Sequence, residues 1–147
     1  MIKTLVIFIA VLVLGVFVSL TSREKKLSGT DQAAVLVFSE TATDNLLAGL
    51  TANDYAMFSR DFDTYMQKTM PTAEFAAWKQ DLDNKLGNYL SRKVDHVRRA
   101  DEFYVVVYQA KFEQAESVIV EVAFHVAEPH PIAHLSFDSE KLRWSSP

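Results

Sequence analysis

Residues 102–126 read EFYVVVYQAKFEQAESVIVEVAFHV, and the alternation inside this stretch decides the fold. β-branched and aromatic side chains dominate EFYVVVYQAKF and ESVIVEVAFHV, and a period of two predicts a strand for each. Placing Tyr104, Val106, Tyr108, Ala110 and Phe112 on one face matches Val118, Val120, Val122, Phe124 and Val126 on one face of the next strand. Alternate residues of a strand point to opposite faces, so this shared apolar face needs a cover from elsewhere in the chain. The mixed polar residues 91–99 predict a strand before the pair, and PIAHLSF (131–137) predicts one after it, ahead of the tail KLRWSSP.

Upstream of Gly87 the apolar period is 3.6. From Asp31, a candidate N-cap, the residues Ala34, Val35, Phe38, Ala42, Leu46, Leu47 and Leu50 step by three and four along one helix face. TANDYAMFSRDF predicts a second, short helix capped by Thr51, Asn53 or Asp54, with Tyr55, Met57 or Phe58, and Phe62 inward. MPTAEFAAWKQDLDNKLG predicts a third, opened at Pro71 or Thr72, buried along Phe75, Trp78, Leu82 and Leu86, and stopped by Gly87. Helices first and strands after predict an α+β domain, with three helices on one side of a curved four-stranded antiparallel sheet.

Ahead of that domain stands MIKTLVIFIAVLVLGVFVSLTSREKK. From Thr4 to Thr21 no charge interrupts the run. At about 1.5 Å per residue, a helix from Ile2 to Thr21 spans roughly 30 Å, the thickness of a bilayer core. Lys3 suits one headgroup layer and Arg23, Lys25 and Lys26 the other. The run exceeds that of a removable signal peptide, and bulky Leu20 between Ser19 and Thr21 makes a poor cleavage site. The chain has no cysteine to carry a lipid. The expectation is a retained transmembrane helix over 1–22, a juxtamembrane linker over 23–30 and one domain over 31–147. For orientation two rules disagree: basic residues at 23–26 favour a cytoplasmic domain, whereas a charged start before an apolar run is an export layout. The expectation taken is a single-pass membrane protein with an extracytoplasmic domain.

The chain has 15 basic and 19 acidic residues. Four of the basic and one of the acidic lie within 1–26, which leaves 11 and 18, a net charge of about −7 for the remainder. Such a balance repels nucleic acid and anionic headgroups, so no nucleic-acid partner is expected. The length suits one core, and the absence of cysteine means no disulfide staples it.

The order of helix, short helix, helix and strands, with LLAGLTANDYAMF (46–58), the Met70–Pro71 junction, Phe75, Trp78 and the Leu86–Gly87 stop, resembles the cone-shaped, cystatin-like α+β roll of the nuclear transport factor 2-like superfamily. Within it the chain is most similar to a family of small, exported or membrane-attached prokaryotic domains of unknown function, over about residues 31–143. The resemblance implies a pocket between the helices and the concave sheet, and a sheet surface that often pairs with a copy of itself or another protein. It implies no reaction.

An isomerase-like member would need a carboxylate base on the pocket face of the sheet beside a hydroxyl donor. The inward positions offer Tyr104 and Tyr108 but no acid, so no catalytic residue is assigned. His125, His130 and His134 fall close together with Glu128 in HVAEPHPIAH, a zinc-like composition. Pro129 and Pro131 keep them off one helix face, and alternation puts His125 outward and His130 in a turn. They read as polar loop and solvent-face residues, with no metal or cofactor expected. No serine elbow or phosphate-cradling glycine loop occurs. The outward set Phe103, Val105 and Val107, with Ile119 and Ala123 beside it, is apolar where a solvent face should be polar. It predicts either a face covered by the linker or by Leu142 and Trp144, or a contact surface for another chain. Two functions follow: a membrane-tethered, non-catalytic interaction module or accessory subunit, or a protein binding or isomerising a small apolar ligand in a pocket lined by Phe38, Trp78, Tyr104 and Tyr108.

Overall fold

A computed structural model describes residues 23–143. In chain order the elements are β1 (Glu24–Lys26), α1 (Gly29–Ala52), α2 (Tyr55–Phe58), α3 (Thr64–Thr69), α4 (Thr72–Leu86), β2 (Tyr89–Ala100), β3 (Phe103–Phe112), β4 (Ala115–His125), β5 (Ile132–Asp138) and α5 (Glu140–Arg143). The strands form one antiparallel sheet in the order β1-β2-β3-β4-β5.

The four-stranded expectation is corrected to five strands. The extra strand comes from the segment read as a linker: Glu24, Lys25 and Lys26 pair with Ala100, Arg99 and Arg98. The next residue, Leu27, donates its N–H to the Val97 carbonyl at 2.8 Å and is buried. Three charged residues carry no periodic signal, and a short charged strand is what tolerates a sheet edge. A second correction shortens the expected second helix to α2 and adds α3 in residues that carried no helix expectation, each opened by an aspartate. Asp54 accepts from the Met57 N–H at 3.0 Å and Asp63 from the Met66 N–H at 2.7 Å. Among the described residues no helix is long and apolar enough to cross a membrane. The transmembrane helix expected at 1–22, like the tail residue Trp144, lies outside the described residues.

Register decides the core. Val106 faces Val97 on one side and Val122 on the other, and Tyr108 faces Val94 and Val120. This inner face is fully buried at Val97, Val106, Tyr108, Val118, Val120, Val122 and Phe124, under Leu46, Leu47, Phe58, Phe75 and Leu86 from the helices. The register of β2 shifts between Val94 and His96, which is why residues 91–99 alternate poorly in the sequence. On α1 the buried stripe is Val35, Ser39, Thr43, Leu46, Leu47 and Leu50, whereas Ala34 is exposed. On α4 the centre is Phe75, Leu82 and Leu86, while Trp78 is half-buried between Phe58 and Phe137. Leu142 of α5 joins this core, so it sits on the helix side of the sheet.

The turn from α1 into α2 is tight. Asn53 takes the left-handed conformation (φ 55°), and the Asp54 N–H reaches back to the Gly49 carbonyl at 2.8 Å. A Cβ on Gly49 would lie 2.3 Å from the Phe58 amide nitrogen and 2.9 Å from the Asp54 carbonyl oxygen. Alanine is about 1 kcal/mol better than glycine inside a helix. We nevertheless expect Gly49→Ala to lose about 1–3 kcal/mol in urea unfolding, because backbone must move to admit the methyl. A gain in stability would mean that α1 and α2 do not approach this closely.

Candidate functional site

Three sets of side chains have the chemistry to act, and the fold places them apart. The first lies between α1 and the inner face. Tyr108 on β3, with no exposed surface, donates its hydroxyl hydrogen to Glu40 Oε1 at 2.6 Å and accepts from Thr43 Oγ1 at 3.1 Å. Arg92 on β2 holds Glu40 Oε2 through Nη2 at 3.2 Å and Asp44 through Nη1 at 2.7 Å, with its guanidinium 5.0 Å from the centre of the Tyr108 ring. Burial, and then the bond to Glu40, push the Tyr108 hydroxyl well above its ordinary range. Burial works against the charge on Arg92, but its bonds to Tyr89 and Asp44 and the charge of Glu40 outweigh it, so the guanidinium stays ionised.

The acid beside Tyr108 is Glu40 of α1 rather than a residue of the sheet, and sequence reading missed it. A usable signal was present: Ser39, Thr43 and their neighbours Glu40 and Asp44 interrupt the α1 stripe at a spacing of four, and a buried polar stripe needs partners across the interface. Chemically the set is a clamp. Both carboxylate oxygens of Glu40 and the proton of Tyr108 are already engaged with protein groups.

The expected pocket residues do not share one lining. Phe38 and Tyr104 meet, with ring centres 6.1 Å apart, beside Phe124 and His130. Trp78 belongs to a different group, with Phe58 and Phe137, and Tyr108 is sealed within the clamp.

The second set is histidine. His125 Nε2 bonds Asp63 Oδ2 at 2.7 Å, so a residue placed outward by alternation turns at the end of β4 to fasten the loop before α3. His130 stacks on Phe38 at 3.9 Å and donates from Nδ1 to the His125 carbonyl at 3.0 Å. Among the described residues no three histidine, aspartate or glutamate side chains are placed to hold a metal ion.

The third set is the outer sheet face. Here Val105, Val107 and Ala123 form a second apolar cluster with the half-buried Ala100, Phe103 and Ile119, and among the described residues no helix contributes to it. Cross-strand rows run Arg98, Val105, Ala123, His134 and then His96, Val107, Glu121, Ser136. Val105 and Val107 are only 7% and 4% exposed, flanked by an ion pair of Arg98 Nη1 with Glu121 at 3.3 Å. The patch therefore presents Ile119 and Phe103 at its ends more than the valines at its centre. His134 Nε2 is buried on this face without a hydrogen-bond partner, whereas Arg98 Nε lies 3.6 Å from Glu24 Oε1. Burial also lowers the pKa of His134, which favours its neutral form.

The clamp has a pH signature. The folded state holds the Tyr108 proton more tightly than the unfolded chain, so the stability this carries is fully present below about pH 10 and is lost as pH rises above it toward the folded value. Tyr108→Phe should cost about 1–3 kcal/mol at neutral pH, as for a hydrogen bond to a charged group, and flatten the fall in stability above pH 10. Equal alkaline slopes in the two proteins would show that the hydroxyl is not held this way.

The comparisons with known proteins add a family and no activity. No curated protein and no solved structure matches the chain. A family described as a protein of unknown function, DUF3887, matches residues 43–128, more than half of the chain. That range carries Thr43, Asp44, Arg92 and Tyr108 of the clamp, the His125–Asp63 pair and most of the outer face. The chain belongs to the DUF3887 family.

Proposed function

We propose that this protein is a non-catalytic interaction module, held at a membrane by the apolar segment 4–21, whose outer sheet face is covered by another protein chain. The observation that carries the reading is the outer cluster of Val105, Val107 and Ala123 with Phe103 and Ile119, an apolar face to which the helices among the described residues add nothing. Its half-buried members Phe103 and Ile119 are the part open to a covering chain, and exposed apolar residues grouped in this way mark contacts. His134 Nε2, buried on the same face without a hydrogen-bond partner, supports it, because a covering chain can supply the missing partner. A membrane tether raises the effective concentration of a co-resident partner, so a modest patch suffices for lasting association. The partner is a second copy or a subunit of a membrane assembly. The domain takes the nuclear transport factor 2-like roll in this reading, a fold that often pairs through its sheet, and it lies outside the cytoplasm.

A ligand-binding or isomerase function has one observation in its favour, the carboxylate of Glu40 against the Tyr108 hydroxyl. It is the weaker reading, because Arg92 and Tyr108 occupy both Glu40 oxygens and the aromatic residues expected to line a pocket are divided between two groups.

Ile119→Lys tests the interaction reading at a half-buried position outside the main core. The variant should lose no more than about 1 kcal/mol, the share of apolar burial that a half-buried isoleucine gives up and a lysine stem partly replaces, while the protein that co-purifies from mild detergent is lost. A folded variant that retains its co-purifying chain would move the contact away from this face.

A further inference from the structure

The domain is acidic overall, yet one corner of its sheet is basic. β1 enters beside the end of β2 in a register that sets Lys25 opposite Arg99 and Lys26 opposite Arg98. Directly opposed side chains in an antiparallel pair lie about 4.5–5.5 Å apart, and like charges there repel. Two such pairs follow one another, with Arg23 just ahead of them. Local anions answer part of this charge. Arg98 pairs with Glu121 and lies 3.6 Å from Glu24, and Lys26 is near Asp95. Arg99 stands over the Tyr104 ring and donates from Nε to the Asp101 carbonyl, while the exposed acids Asp101 and Glu102 share its turn. Arg23 and Lys25 are exposed and make no ion pair among the described residues. The chain thus maintains two opposed cation pairs at an edge where a one-residue shift would leave only one, Lys25 with Arg98 or Lys26 with Arg99, and where an acidic residue would relieve the repulsion.

We propose that this corner, built on Arg23, Lys25, Lys26 and Arg99, docks on the headgroups of anionic phospholipids. The second observation behind it is position. The apolar segment ends at Thr21, and the chain enters the sheet at Glu24. Leu27 is buried and bonded to Val97, so the chain is fixed to the domain from Glu24 onward. A membrane that takes up residues 4–21 therefore meets this corner first, and phosphate groups convert the cross-strand repulsion into attraction. Net charge conceals the corner, because Arg23, Lys25 and Lys26 are counted with the N-terminal segment and Arg98 and Arg99 with an acidic domain. The inference rests on the membrane placement proposed above.

The chain has no cysteine, so Thr30→Cys in the full-length protein carries a single fluorophore next to the corner. Its quenching by spin-labelled headgroups is compared in neutral phosphatidylcholine vesicles and in vesicles of which roughly a third is phosphatidylglycerol. Quenching is expected to be at least about twofold stronger in the anionic vesicles, to equalise at high salt, and to equalise in Lys25→Glu with Arg99→Glu. If that double variant does not fold, Lys25→Gln alone serves, with a smaller but measurable loss. Equal quenching of the wild type in both lipids overturns the corner, as does an anionic preference unchanged by the substitutions. Loss of the preference on adding inorganic phosphate at matched ionic strength identifies a free-phosphate site and overturns lipid docking. Failure to float with neutral vesicles at high salt refutes attachment through 4–21, while a preference for anionic vesicles that the substitutions remove upholds the corner on its own.

Discussion

The pairing of β3 with its two neighbours constrains everything else in the domain. Val106 stands between Val97 and Val122, and Tyr108 between Val94 and Val120. A slip of one residue would send this set to the other face and bring Val105, Val107 and Gln109 under the helices. The same register creates the two features with functional content. It aims Tyr108 and Arg92 at α1, where Glu40, Thr43 and Asp44 meet them, and it leaves Val105, Val107 and Ala123 in a cluster to which no helix among the described residues contributes.

The polar clamp explains why a largely apolar interface has a single docking geometry. Apolar side chains tolerate small slides between a helix and a sheet, whereas a hydroxyl, two carboxylates and a guanidinium tolerate very few. Removing Glu40 leaves the buried Tyr108 hydroxyl and Arg92 guanidinium short of a partner, a larger penalty than the net gain of making the bond. The His125–Asp63 pair plays a comparable part at the other end, because Asp63 both opens α3 and fastens the end of β4.

Much of this was legible in the sequence because it is periodic. The alternation of 102–126 placed Tyr104, Tyr108 and Phe124 inward and Phe103, Val105 and Ile119 outward, and the Leu86–Gly87 stop ended α4 where the helix does end. What escaped has no period. β1 is three charged residues whose strand character comes entirely from pairing with β2. Glu40 was invisible as a site residue because its importance lies across the interface, 68 positions from Tyr108. Trp78 matched the spacing of the α4 stripe but sits at its margin, since the aromatic residues of α2 and α4 fill the centre. Opposed cations at Lys25/Arg99 and Lys26/Arg98 appear only once the register is known.

The central claim is that another chain covers the outer face where the protein natively resides. The absence of native cysteine makes thiol accessibility a direct measure of it. Cysteine placed at Ile119, half-buried on the outer face, is compared with cysteine at Val106, fully buried on the inner face, in native membranes and after purification as a single chain. The account predicts that Ile119→Cys is shielded in membranes and reacts once purified, while Val106→Cys reacts in neither. Equal, rapid labelling of Ile119→Cys in both states would contradict it.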